Sequence, residues 1–322
     1  MPPRRIETVP LSRFWKPRFW PVWLGLGVFR LLVLLPYSVQ VALGRLAGRW
    51  AERVLPKRRA IAAANLHLCF PHMGDRELRL ILTRHFESLG ISFFELGLGW
   101  WASDRRVRKL VRIEGLEHLR DATREGRGAI LLSGHFAAME IVGRALNLEF
   151  PQLAAMYRPH RNPLVDEMFR RGRARSVVDL IAKNSLRQLL RCLSGGVSVW
   201  YAADQSYRRK WSVLVPFFGE PAMTNAALSH IARLSQSRVV PFFPQRLDDG
   251  TGYVLTIHPA LEKFPGGDLE SDARRVNALL EEQIRRAPEQ YYWVHRRFKG
   301  RPEGYPDPYA QATSAGRRQA LW

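Results

Sequence analysis

The chain has 322 residues, 46% of them hydrophobic, and a formal net charge of +21. That length and apolar content allow one large domain or two smaller ones and exclude global disorder. The charge attracts anionic partners, whether phosphorylated lipid, an acidic protein or nucleic acid; it is carried by 43 Arg against seven Lys, a bias that suits bidentate phosphate contacts and that genome-wide codon usage explains equally well.

Residues 1–18 are basic, with Arg4, Arg5, Arg13, Lys16 and Arg18. The apolar stretch from Phe19 to Gly44 follows, with Arg30 as its one charge and Pro36 as a kink. It is long enough to span a bilayer. Trp15, Trp20 and Trp23 sit where interfacial aromatics sit. Arg45, Arg49, Arg53, Lys57, Arg58 and Arg59 come next. Positive charge on both flanks gives no orientation and suits a helix lying in an anionic interface equally well. A buried core helix is the remaining alternative. The long apolar run, with no small-x-small cleavage site followed by an acidic or polar mature start, argues against a signal peptide.

Lys57 to Cys69 reads as helix. So does Asp75 to Trp101, where Leu78, Ile81, Leu82, Leu89, Phe93 and Leu96 recur at spacings of three and four. The two cysteines, Cys69 and Cys192, show no disulfide framework, which fits a reducing compartment. His67, Cys69 and His72 cluster, but no fourth ligand follows at a zinc spacing, and no metal is expected.

From residue 110 the period changes. Candidate strands are Val111–Glu114, Ala129–Leu132, Leu153–Tyr157, Val177–Leu180, Val197–Tyr201, Val213–Phe218, Val239–Phe243 and Tyr253–Ile257. Candidate helices are Leu116–Glu125, Ala137–Leu148, Pro163–Arg173, Ser185–Leu193, Asn225–Leu234 and Ser271–Ala287. This alternation predicts an α/β fold: a mostly parallel central sheet flanked by helices, behind a helical N-terminal region and a membrane-associated helix over 19–44. The main domain runs over 45–305, and a polar tail over 306–322.

Ligands of open α/β sheets bind beyond the carboxyl ends of strands. Three polar residues fall there: His135 after Ala129–Leu132, Arg158 after Leu153–Tyr157, and Asp204 after Val197–Tyr201. Parallel neighbouring strands would gather them on one edge. His135 with Glu140 five places on has the makings of a general base and its orienting carboxylate. The same spacing occurs in His72 and Glu77, in a loop between helices. Residues five apart on one helix do not face each other, so His135 meets Glu140 only from at or before the helix start, where Ser133-Gly134 makes a break. The alternative is a capping histidine and a surface glutamate. No G-x-S-x-G elbow and no phosphate-binding P-loop is present, and Gly25-Leu26-Gly27 lacks a third glycine. The run Arg170 to Arg175 is either an anion-binding stripe or a solvated helix face.

Five ordered segments resemble one family. They are Leu55 to Pro71 with Asn65, Cys69, Phe70 and Pro71; His135 to Glu140, HFAAME; Tyr157 to Leu164, YRPHRNPL; Val199 to Tyr207, VWYAADQSY; and Ala287 to Gly304. Together the chain resembles the late acyltransferases of lipid A biosynthesis, the Kdo-dependent lauroyltransferase group in particular, within the lysophospholipid acyltransferase-like superfamily whose signature is His-x-x-x-x-Asp/Glu. One segment departs from the family pattern: a second acidic residue or His and then Tyr-Gly-Pro usually follow the aspartate, and here Asp204 is followed by Gln205-Ser206-Tyr207-Arg208-Arg209. The resemblance implies direct transfer of a lauroyl-like acyl group from the thioester of acyl carrier protein to a hydroxyl of Kdo2-lipid IVA, without cofactor. His135 and Glu140 would be catalytic, and Arg158 and Asp204 substrate-binding. The enzyme would sit at a bacterial inner membrane with its catalytic domain on the cytoplasmic side. An acyltransferase acting on a glycerophospholipid or another acyl-lipid is one alternative. A non-catalytic basic protein on anionic membrane or nucleic acid is another, without an aromatic-basic RNA motif in its favour.

Overall fold

Pro36 decides how the chain begins. The computed structural model describes residues 6–183, 185–206 and 211–310. Arg4, Arg5, Tyr207, Arg208, Arg209 and the tail beyond 310 therefore lie outside the described residues. The expected single helix over 19–44 is two helices: α1 (Trp20–Val33) and α2 (Tyr37–Val54). Proline has no N–H to donate and drives the preceding residue out of the helical region. The carbonyls released at the break are taken up. The buried Gln40 amide donates to Val33 O and Leu35 O at 2.8 Å each, and Arg106 donates to the same two oxygens at 2.7 Å each. A helix of 14 residues rises about 21 Å, short of a hydrocarbon core of about 30 Å. No helix among the described residues is long and apolar enough to cross a membrane. This corrects the spanning alternative for 19–44.

Helix α2 packs on the long α4 (Asp75–Trp101), which follows α3 (Pro56–Cys69). Small residues set the closeness: a Cβ on Gly44 would fall 2.7 Å from Ile91 Cα. Next come α5 (Asp104–Leu110), β1 (Val111–Glu114), α6 (Leu116–Ala122), β2 (Ile130–Ser133), α7 (Met139–Glu149), β3 (Leu153–Tyr157), α8 (Pro163–Arg173), β4 (Asp179–Ala182), α9 (Leu186–Ser194) and β5 (Ser198–Ala202). The chain continues through β6 (Ser212–Phe217), β7 (Glu220–Asn225), α10 (Ala227–Ser235), β8 (Val239–Arg246), β9 (Tyr253–Ile257) and α11 (Leu269–Arg286).

Seven strands form one sheet in the order β1-β9-β8-β2-β5-β3-β4. Every neighbouring pair is parallel except β8 with β9. The α/β class and the mostly parallel sheet are as expected. Alternate residues along β2 enter opposite cores: Ile130 and Leu132 join α3, α9 and α11 on one face, while Leu131, with Ala129 just before the strand, joins α5, α6 and α7 on the other. Burial on both faces is why this strand reads as a continuous apolar run. The strand expected at Val213–Phe218 is β6, which leaves the main sheet and pairs antiparallel with β7. Phe218 and Gly219 both have positive φ (52° and 81°) at that two-residue turn, as hairpin turns of this length require.

Candidate active site

Register brings the chemistry together. Strands β2 and β5 are parallel with Ser133 opposite Ala202. Two residues further on, each strand end carries a residue singled out in the sequence: His135 on one, Asp204 on the other. Asp204 grips His135 at two points. One carboxylate oxygen accepts the His135 backbone N–H at 2.9 Å, and the other lies 2.7 Å from Nδ1. Asp204 is buried and His135 half-buried. Burial and Lys183 both disfavour a charged imidazole, yet the Asp204 carboxylate outweighs them and raises His135 above the ordinary histidine value. Burial alone would raise the Asp204 carboxyl; the charge and hydrogen bonds of His135 instead hold it down at about 2. With Nδ1–H committed to Asp204, the neutral imidazole carries its lone pair on Nε2. Nε2 lies 3.3 Å from the side-chain amide nitrogen of Gln205.

The loop after His135 is held from two distant segments. Tyr292 N–H donates to His135 O at 3.0 Å, and Ala137 N–H donates to Gln290 O at 2.8 Å. Ala138, with φ of 65°, donates its N–H to Glu95 Oε2 at 2.7 Å. Glu95 is buried on α4 and pairs with Arg246 at 2.6 Å. Arg246 also donates to the Ser88 hydroxyl at 3.0 Å. The Gln290 side chain caps both backbone groups of Arg246, accepting from N and donating to O at 2.8 Å each. Sequence reasoning missed Glu95, Arg246 and Gln290. The last lies inside the segment Ala287 to Gly304, whose motif match was the available signal.

That segment and Leu55 to Pro71 form a second junction. Asn65, fully buried, donates to Trp293 O at 2.6 Å and His295 O at 2.8 Å, and accepts from the Tyr309 hydroxyl at 2.6 Å. Beside it, the buried Arg297 lies 4.5 Å over the Phe217 ring. It donates to Met223 O, Thr224 Oγ1 and Asn277 Oδ1 at 3.0, 2.9 and 3.2 Å. Burial drives the Tyr291 phenol far above its usual value, and the nearby Asp204 charge adds to this.

Glu140 is not hydrogen-bonded to His135. It stands in the first turn of α7, and its carboxylate accepts from Arg173 Nε at 3.0 Å and from a second Arg173 nitrogen. Arg173 lies 5.8 Å from the ring centroids of both Tyr157 and Phe169. The expected imidazole–Glu140 bond is thus replaced by one to Asp204. A side chain in the first turn of α7 is carried away from the strand edge, whereas Asp204 leaves the neighbouring strand beside His135.

Arg158 follows β3 on the same edge. It is exposed and has no hydrogen bond or ion pair among the described residues. A cleft of about 480 Å³ opens there, bounded by His135, Arg158, Lys183 and Gln205 and floored by Met156, Trp200 and Tyr201. Its size and mixed lining are those of a ligand site. The run Arg170 to Arg175 is spent on internal contacts: Arg171 pairs with Glu167, Arg173 with Glu140, and Arg175 donates to Trp100 O. Among the described residues no group of His, Cys, Asp or Glu is arranged to hold a metal.

Residues 11–300 match the family described as bacterial lipid A biosynthesis acyltransferase. The chain is 40% identical to the lipid A biosynthesis lauroyltransferase of Escherichia coli K12, over 91% of this chain and 96% of that protein. It is equally 40% identical to the lipid A biosynthesis palmitoleoyltransferase of the same organism, over 92% and 96%. The lipid A biosynthesis myristoyltransferase of that organism is 28% identical over 92% of each chain. These matches remove the non-catalytic reading: the chain belongs to the bacterial lipid A biosynthesis acyltransferases and is an acyltransferase enzyme.

Proposed function

We propose that this enzyme moves a lauroyl-like fatty acyl group from acyl carrier protein to a hydroxyl of Kdo2-lipid IVA, with His135 as general base and Asp204 as its orienting partner. The observation that carries this reading is the two-point grip of Asp204 on His135, which leaves Nε2 as the basic nitrogen at the cleft. The acceptor hydroxyl gives its proton to Nε2 as its oxygen attacks the thioester carbonyl. When the intermediate collapses the carbon–sulfur bond breaks, and the imidazolium returns the proton to the departing thiolate. No acyl-enzyme is needed, in keeping with the absence of a serine elbow.

Arg158 and Lys183 at the cleft suit the phosphates and carboxylates of such an acceptor. Glu140 acts at one remove in this reading: it holds Arg173 against Tyr157, the last residue of β3 and part of the cleft wall. The positive surface would speed encounter with an acidic carrier protein and an anionic lipid. Helix α1 lies on the membrane surface rather than across it. Trp20, Leu24, Leu31 and Leu34 are 62%, 71%, 66% and 72% exposed along it, and Arg13, Lys16 and Arg18 precede them. This supports a location at a bacterial inner membrane, with the catalytic domain on the cytoplasmic side in this reading.

The test is in vitro acylation with lauroyl- and palmitoleoyl-acyl carrier protein, offering Kdo2-lipid IVA and a lysophospholipid in parallel. Transfer to Kdo2-lipid IVA that His135→Ala abolishes in a folded protein is the expected result. Preference for the lysophospholipid, or full activity in His135→Ala, would overturn the reading.

A further inference from the structure

The site as described has a base and an orienting acid, but acyl transfer also needs a donor for the negative charge that develops on the thioester carbonyl oxygen. Backbone N–H groups of the loop that carries the base are the obvious source. In this protein three of them are committed elsewhere: His135 N–H to Asp204, Ala137 N–H to Gln290 O and Ala138 N–H to Glu95. The side chain of Gln205 supplies what they do not. It immediately follows Asp204, lines the cleft, and sets its amide nitrogen 3.3 Å from His135 Nε2. With Nδ1–H given to Asp204, Nε2 is the acceptor and the amide N–H the donor.

That bond is available only while the site is empty of acceptor. A substrate hydroxyl must come within about 2.6–3.2 Å of Nε2 to be deprotonated, which displaces the amide from it. The carbonyl oxygen, two bonds from the attacking oxygen, is then a new acceptor within reach. We infer that the Gln205 side-chain amide is the oxyanion donor of the reaction, parked on the base until substrate arrives. This rests on the acyl-transfer reading above. The hydroxyl proton passes to Nε2, the oxygen–carbon bond forms, and the carbonyl π pair moves onto oxygen, where the amide N–H meets it. Collapse restores the carbonyl, breaks the carbon–sulfur bond and returns the proton to sulfur.

The test compares the full-length enzyme with Gln205→Leu, which keeps the bulk and removes the donor, and Gln205→His, which keeps a ring N–H. Steady-state transfer from lauroyl-acyl carrier protein is measured against pH, with folding checked by thermal melting. Gln205→Leu is expected to lower the kcat plateau by roughly 100-fold, with KM within about threefold and the acid limb of kcat unmoved, since in the complex the hydroxyl already occupies Nε2. Gln205→His is expected to recover part of the loss. An unchanged plateau, or a shift confined to the acid limb of kcat/KM, would overturn the assignment and leave Gln205 as a cap on the resting imidazole. If Gln205→Leu does not fold, Gln205→His and Gln205→Ala carry the same comparison. The ratio of variant to wild type tests Gln205, whereas the wild-type rate on each acceptor tests the proposed function, so the two fail separately.

Discussion

Replacing Asp204 by Asn separates the two carboxylates that compete for the role of imidazole partner. Asp204 accepts two hydrogen bonds from the same residue, one from Nδ1–H and one from the His135 backbone N–H. Asparagine has one acceptor oxygen, so one of these donors would face an NH2 group. If the amide turns its oxygen to the backbone, Nδ1 must accept, the proton moves to Nε2, and the base presents a donor to the substrate. The equivalent change in a Ser-His-Asp triad costs about 10⁴ in kcat by producing the wrong tautomer. We expect Asp204→Asn to lose roughly 10³–10⁴ in kcat, with KM for either substrate little changed.

The electrostatic part follows from the titration. The Asp204 carboxyl falls from 3.8 to about 2, and at about 1.4 kcal/mol per unit its pairing with the imidazolium is of order 2 kcal/mol. Asp204 is depressed, so its contribution to stability is present above its unfolded value and is lost as pH falls through about 2. His135 is raised, so its contribution is complete below the ordinary histidine value and is lost as pH rises through the raised one. The pair therefore stabilises the fold most at mildly acidic pH, while catalysis with His135 as the proposed base, which needs the neutral ring, is expected to rise only above the raised value. Asp204→Asn should move the acid limb of kcat/KM to lower pH and lower the histidine resonance midpoint in an NMR titration. Wild-type kcat together with an unmoved His135 midpoint would refute Asp204 as the partner.

Glu140→Gln should leave the His135 titration where it is, because its carboxylate is bonded to Arg173; it should lower stability by about 1–3 kcal/mol in denaturant melts, the cost of leaving that guanidinium short of its acceptor. A fall in the His135 midpoint would restore Glu140 to the imidazole. Arg246→Met strands Glu95 in the core without its cation, and a loss of about 3–5 kcal/mol is expected, together with faster amide exchange at Ala138, which Glu95 holds. A melt within about 1 kcal/mol of wild type would show the pair to be dispensable. Trp20→Ser with Leu24→Ser and Leu31→Ser should abolish sedimentation with vesicles containing anionic phospholipid while preserving the melting temperature, since these side chains are exposed. Unchanged co-sedimentation would remove α1 from the membrane contact.

The period changes along the sequence carried the fold well. Val111–Glu114, Leu153–Tyr157 and Tyr253–Ile257 are strands at the bounds their β-branched and apolar runs suggest. The shared edge of His135, Arg158 and Asp204 follows from strand-end reasoning alone. The pairing within that edge does not. His135 and Asp204 are 69 residues apart, and only the register of Ser133 on Ala202 makes their equal two-residue offsets meaningful. Without it, the acid five places away in sequence is the natural candidate, and local spacing wins over a contact no linear pattern reports. Strand β7 was missed because EPAMTN has little β-branched character; the hairpin turn and the partner β6 make it a strand. The stretch 19–44 reads as one span because hydropathy counts residues, whereas Pro36, Gln40 and Arg106 together build a turn.

The distribution of hydrogen bonds around His135 also explains why segments far from the chemistry carry family motifs. A loop with a left-handed Ala138 costs about 1–2 kcal/mol in backbone strain, and left to itself it would relax and carry the imidazole with it. Its polar groups are instead tied to Asp204 behind β5, to Glu95 on α4, and to Gln290 and Tyr292 near the C-terminus. Those last two are anchored in turn: Gln290 on the backbone of Arg246, and the strand of chain after Tyr292 on Asn65 of α3. The ties run to the end of β5, to α4 and to the C-terminal segment, so a shift of α4 or of that segment would reach His135 through at least one of them. A base fixed in this way does not reorganise when charge develops, and low reorganisation is what makes a buried polar site catalytic. The motif around Asn65 and the motif from Ala287 to Gly304 are therefore better understood as the frame that holds His135 than as further contacts to substrate.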